Sequence, residues 1–218
     1  MLTRRHFVWT SASAAAAALA APRAFAQAIE NPLSLTIAPD AVVETAPAAE
    51  IELPPTVEGN YEIPERYQAR IVDVKPGLTP NDIHVVRQNY HLYFILPGDK
   101  AIRYGVAVGS EGLYWTGHAT IARKVEWPSW RPTNEMIERN PAAYERYKDG
   151  MPGGPTNPLG ARALYFYQGD RDTAIRVHGT TSPASIGTSA SNGCFRMYNS
   201  HVIDLYRRVP LGANAYAY

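Results

Sequence analysis

The 218-residue chain holds a single cysteine. One thiol can neither close an internal disulfide nor build a cysteine-cluster zinc site. Net charge is nearly absent as well: 21 Lys and Arg against 20 Asp and Glu leave +1, which is no footprint of a nucleic-acid binder. Apolar runs fall short of the ~20 residues needed to cross hydrocarbon. The chain also lacks a P-loop, a dinucleotide fingerprint, a heptad pattern and an internal repeat. His84, His91, His118 and His201 show no metal-ligand spacing, so no metal site is expected. The lone Cys194 is then either a buried small hydrophobe or a nucleophile.

What is present divides the chain into three. Residues 1–26 read as an export signal: Arg4-Arg5, a mildly apolar Ala-rich run at 12–21, and the small-x-small pattern Ala24-Phe25-Ala26. The arginine pair with Phe7 resembles a twin-arginine signal, although Trp9 stands where such signals often carry Lys, and an ordinary secretory signal is the alternative. Either signal places the mature protein outside the cytoplasm, in the periplasm, with no transmembrane anchor after cleavage. Residues 27–65 carry eight acids, no Lys or Arg, and six Pro. They read as an acidic, disordered or extended linker whose last residues could lie against the domain. Setting aside those acids and Arg4, Arg5 and Arg23 leaves 18 basic and 12 acidic residues in 66–218. That folded part therefore carries +6 and suits an anionic partner.

Residues 66–218 read as mainly β. Short β-branched or aromatic runs at 69–74, 83–86, 91–96, 102–108, 163–167, 174–177 and 213–218 alternate with turn signals such as Lys75-Pro76-Gly77 and Pro97-Gly98-Asp99. Hairpins packed into a sandwich or barrel follow from that pattern. Two stretches read as helical: 134–148, broken at Asn140-Pro141, and 200–209, with Asn199 or Ser200 as its cap and Pro210 as its stop.

The chemistry-bearing stretch runs from His178-Gly179-Thr180, through a Gly/Ser-rich loop, to Ser191-Asn192-Gly193-Cys194-Phe195-Arg196-Met197. A thiol becomes a useful nucleophile beside an imidazole that takes its proton. Gly193 lets backbone amides around Cys194 turn toward a developing oxyanion, and Arg196 supplies a fork for a carboxylate. Residue types and spacing alone leave the nucleophile and the buried filler about evenly matched.

These motifs resemble the signature of the L,D-transpeptidase (YkuD-type) catalytic domain. Ile186-Gly187, Gly112-Leu113-Tyr114-Trp115-Thr116-Gly117, Lys124-Val125-Glu126-Trp127-Pro128, Gly150-Met151-Pro152-Gly153-Gly154-Pro155, Asn157-Pro158-Leu159-Gly160 and Asp204-Leu205-Tyr206 extend the likeness from about Ile83 to the end. The resemblance implies a mainly β enzyme of the bacterial cell wall that needs no cofactor. Cys194 would attack the bond joining the third residue of a peptidoglycan tetrapeptide stem to its terminal D-alanine, with His178 as base. A carbonyl near Gly179 would hold the other ring nitrogen, and the amides of Gly193 and Cys194 would line an oxyanion hole. Ser191, Asn192, Arg196, Trp115 and Trp127 are the expected substrate-binding residues. An amine on a second stem would resolve the thioester into a 3-3 cross-link; an outer-membrane lipoprotein amine or water does so in related members. Water as acceptor would make the protein an L,D-carboxypeptidase, and a non-catalytic wall-binding protein is the reading from another class. Most members carry His where this chain has Asn192. The segment 115–160 reads either as a lid over the Cys194 groove or as an extra structural layer.

Overall fold

Turn residues cut the chain where expected. Pro97-Gly98-Asp99 joins two strands paired from His91↔Gly105 to Leu96↔Lys100, with Gly98 and Asp99 both at positive φ. The computed structural model describes residues 51–218, which fall in one compact unit. The expected signal, and the expected linker up to residue 50, lie outside the described residues.

In chain order the elements are β1 (Val57–Glu58), β2 (Tyr61–Glu62), β3 (Arg70–Asp73), β4 (Ile83–Val86), β5 (His91–Leu96), β6 (Lys100–Gly105), β7 (Val108–Gly109) and β8 (Gly117–Glu126). There follow α1 (Asn134–Arg139), α2 (Pro141–Tyr144), β9 (Arg162–Gln168), β10 (Arg171–His178), β11 (Ser189–Ser191), β12 (Phe195–Arg196), α3 (Asn199–Arg208) and β13 (Asn214–Ala217). Nine strands form a mixed sheet in the order β12-β10-β9-β8-β13-β4-β5-β6-β3, while β1-β2 and β7-β11 pair separately. The mainly β expectation is met by a sheet that curls on itself: Ala107, just beyond the next-to-last strand β6, bridges Arg196 in the edge strand β12.

Helix α3 packs against β9 and β10 and buries Val202 and Leu205, with Val209 following at its end. That is the i, i+3, i+7 stripe of a helix facing a core. Its Asp204 accepts a hydrogen bond from Tyr104 of β6 at 2.6 Å, which ties the helix to the far side of the curl. Asn199 is the first helical residue rather than the cap, and its side chain is used elsewhere.

Two expectations change. The longest strand, β8, lies inside 115–160, so the insertion is the shorter stretch 127–160, closed at its base by Trp127 N–H donating to the Ala161 carbonyl at 2.8 Å. A bulge between Ile121 and Arg123 breaks the period-2 pattern of β8 and hides it from a reading by alternation. Second, the folded part begins before Arg66. Residues 57–62 form a small hairpin, and Ile63 is 1 % exposed in a cluster with Tyr67, Ala107, Ile186 and Tyr198.

Candidate active site

Strand β12 lies parallel to β10 in the register Val177↔Phe195 and His178↔Arg196. Alternation sends Val177 and Phe195 into the core, where both are buried. It turns Arg176, His178, Cys194 and Arg196 to the opposite face, where all four line one cavity of about 680 Å³. Neighbouring strands about 4.8 Å apart, and side chains about 6.6 Å apart along a strand, make these four a compact block. The parallel pairing thus does what sixteen residues of sequence separation conceal.

His178 is 5 % exposed, and its Nδ1 lies 2.6 Å from the Gly179 carbonyl. A carbonyl only accepts, so Nδ1 carries the proton and Nε2 of the neutral ring keeps its lone pair. Burial, seconded by Arg196 and Arg176, pushes the ring's pKa down to about 4, against the pull of the Gly179 and Leu159 carbonyls. Burial also raises the Cys194 thiol above its ordinary value, opposed by Arg176 and Arg196. Its Sγ donates to the Ala174 carbonyl at 3.5 Å. The resting site therefore holds a neutral thiol and a neutral imidazole, the pairing suited to proton transfer during attack rather than to a standing ion pair.

Gly193 sits at φ +121°, and a Cβ there would come 2.9 Å from the Leu113 carbonyl oxygen. Its N–H donates to Ser191 Oγ at 3.2 Å, and the Ser191 hydroxyl donates in turn to the Cys194 carbonyl. Ser191 thus spends its hydroxyl on the turn that presents Cys194. The expected pair of oxyanion amides is accordingly reduced in this state, since only the Cys194 amide has no side-chain acceptor among the described residues.

Arg176 is tied to Asp172 at 3.3 Å, whereas Arg196, half-buried, makes no ion pair among the described residues. The cavity lining holds four arginines, Arg131, Arg139, Arg176 and Arg196, and one carboxylate, Glu135. The site is therefore built to receive negative charge.

Trp115 and Trp127 do not line the cavity. Trp115 sits edge-on to Phe166 at 5.7 Å, as core packing, and Trp127 is 46 % exposed at positive φ at the base of the insertion. Trp130 takes the place expected of them, with its ring edge-on to Tyr144 and Tyr147. The insertion forms the far wall of the cavity. Thr133 caps α1 by accepting from Met136 N–H, Asn140 caps α2, and the break at Asn140-Pro141 falls between them. Asn192 joins wall to catalytic loop: its Oδ1 accepts from Arg139 and its Nδ2 donates to Tyr144 Oη at 3.2 Å. The sequence reading missed Arg176, although its place two residues before His178 on one strand was a signal for it; nothing in the sequence says where Arg139 and Tyr144 would dock.

The family profile of the L,D-transpeptidase catalytic domain matches residues 80–216. The candidate L,D-transpeptidase of the ATP synthase subunits region, ORF 5, of Fuscovulum blasticum is 37 % identical over 105 residues, 47 % of this chain and 50 % of that one. The probable L,D-transpeptidase YbiS of Escherichia coli K12 is 30 % identical over 144 residues, 64 % of this chain and 45 % of that one. The chain thus spans about half the length of these relatives. A crystal structure from Brucella melitensis, named a probable carnitine operon oxidoreductase caia, is 51 % identical, with a TM-score of 0.50 over 72 % of this chain and 97 % of that one. With the profile spanning both arms of the His178 and Cys194 block, the chain belongs to the L,D-transpeptidase catalytic domain family.

Proposed function

We propose that the protein is an exported peptidoglycan L,D-transpeptidase working through a Cys194 acyl-enzyme. The observation that carries this reading is the block of Arg176, His178, Cys194 and Arg196 on one strand face inside one cavity. Cys194 Sγ attacks the carbonyl carbon between the third and fourth residues of a tetrapeptide stem as its proton passes to His178 Nε2. The Cys194 amide faces the developing oxyanion. The C–N bond then breaks, the proton on His178 goes to the departing amine, and D-alanine leaves a thioester on Cys194. An amine of a second stem attacks that carbonyl and gives its proton through His178 to the departing sulfur, and a 3-3 cross-link forms. Arg196, free of a protein carboxylate, binds a stem carboxylate. Asn192 acts as the fastening of the cavity wall rather than as a substrate ligand.

The oxidoreductase name of the Brucella melitensis protein is not carried over, because this chain matches the transpeptidase profile over residues 80–216. Incubation with a tetrapeptide stem and analysis of the products tests the reading. D-alanine together with a cross-linked dimer is expected. Tripeptide without dimer would replace it by the L,D-carboxypeptidase, and stem binding without turnover by the non-catalytic wall binder.

A further inference from the structure

The turns on either side of His178 are held by one side chain outside the catalytic motif. Asn199, at the start of α3, accepts from Ala161 N–H on Oδ1 at 2.9 Å and donates from Nδ2 to the Thr180 carbonyl at 2.8 Å. Its amide therefore clamps the turn 158–161 to the turn 179–180. A Cβ on Gly160 or on Gly179 would lie 2.2 Å from Asn199 Oδ1, so both glycines are needed to admit it. The carbonyl that accepts from His178 Nδ1, that of Gly179, belongs to one of these turns, and the Leu159 carbonyl, which pulls the ring's pKa upward, belongs to the other.

Asn199 is itself fixed from outside the catalytic motifs. No side chain of α3's own neighbourhood in sequence caps the helix. Instead Glu58 of β1 reaches it from 141 residues away, accepting from Asn199 N–H on Oε1 and from Ser200 N–H on Oε2, both at 3.0 Å. A carboxylate at a helix N-terminus satisfies orphan amides and complements the helix dipole. The segment leading to Glu58 is held at the other end of the helix by Arg208, which donates to the Glu52 carbonyl. The segment before β1 is thus attached at both ends of α3.

We infer that Asn199 is a positioning residue for the His178 base, and that Glu58 from the N-terminal segment completes it by fixing the start of α3. The inference rests on the reading of His178 and Cys194 as base and nucleophile. The chain of contacts is short: Glu58 holds the helix start, Asn199 holds the two turns, and the Gly179 carbonyl of one of them holds the ring at Nδ1, which leaves Nε2 to act as the base. A base displaced by an ångström loses about a hundredfold in rate.

The test is the second-order rate of Cys194 acylation by a carbapenem, read by intact mass from pH 5 to 9.5, with Tm measured alongside. It compares the full protein with Asn199→Ala, Asn199→Asp, Glu58→Gln and His178→Ala. Asn199→Ala is expected to slow acylation about 10- to 100-fold at pH 7. Its rate should then climb with pH as the thiol ionises, as in His178→Ala, instead of levelling off as in the wild type. Asn199→Asp keeps the bond to Ala161 but sets a carboxylate against the Thr180 carbonyl, and falls between. Glu58→Gln loses a few-fold. Asn199→Ala within twofold of wild type at every pH overturns the inference; if that variant does not fold, the same result for Asn199→Asp does so. A wild-type rate in Glu58→Gln removes Glu58 from it. If His178→Ala reacts like the wild type, the reading of the base itself fails and the inference falls with it.

Discussion

Gly193 and His178 are fixed by different physics. Gly193 is required by backbone shape: its φ of +121° and the 2.9 Å approach to the Leu113 carbonyl leave no room for a side chain. Gly193→Ala is expected to cost at least tenfold in acylation rate, because the turn must open to relieve the clash and carries Cys194 with it. His178 is fixed by burial and by one carbonyl. Its pKa in the folded protein, about 4, lies below the ordinary 6.5, and buried His201 is displaced to the same degree by the same cause. The unfolded chain therefore takes up protons between pH 6.5 and 4 that the folded chain refuses. Stability present above pH 6.5 is lost as pH falls through that window, by at most about 3 kcal/mol for each histidine. Urea denaturation at pH 7 and at pH 4.5 checks this, and His201→Gln should flatten the difference. The residue types at 178 and 194 were readable from the motif. Their neutral resting state was not, because it depends on burial that only the folded strands create.

At the scale of elements, the cavity wall is the least supported part of the site. Helices α1 and α2 bury no residue, and their side-chain hydrogen bonds to the catalytic loop run through Asn192. Arg139→Ala is expected to leave Tm within about 2 °C, since exposed polar pairs contribute little. It should nevertheless raise KM for the donor stem several-fold by loosening the wall, and hasten limited proteolysis within 127–160. An unchanged cleavage rate together with an unchanged KM would show that the wall stands without the bond from Arg139 to Asn192. Trp130→Ala should impair turnover more than Trp127→Ala, reversing the order that the sequence suggests. The reason for that reversal is instructive. Trp127 lies within a recognisable motif, but its backbone sits in the left-handed region at the foot of the insertion. Trp130 lies in no quoted motif, and the bridge to Met151 turns it into the cavity. The same limit applied to β8, whose bulge and charged residues masked ten residues of strand.

Among the described residues, the curled sheet packs β9 and β10 against α3, and the segment holding Glu52 and Glu58 is fastened to that helix. Composition marks 27–65 as acidic and proline-rich with a single aromatic, Tyr61, yet Ile63 within it is buried to 1 % exposure. Averages over a segment miss a single anchoring side chain, and the docking surface for Ile63 is assembled from Tyr67, Ala107, Ile186 and Tyr198, far apart in sequence. Ile63→Ala should cost about 3 kcal/mol, or roughly 6–12 °C in Tm. A change below 1 °C would return this segment to the linker. Much of the strand order, by contrast, follows from hairpin turns that the sequence displays. The closure through Ala107 and Arg196 was not legible, since it joins residues with no local signal for pairing.

The proposed function turns on a thioester at Cys194. The most direct test is the intact mass of the full protein after incubation with a tetrapeptide donor stem and no acceptor. The account predicts a gain equal to the stem less D-alanine, located at Cys194, absent in Cys194→Ala and strongly reduced in His178→Ala. Folded wild-type protein that releases D-alanine with no adduct at any time point, or an adduct that persists in Cys194→Ala, would contradict it.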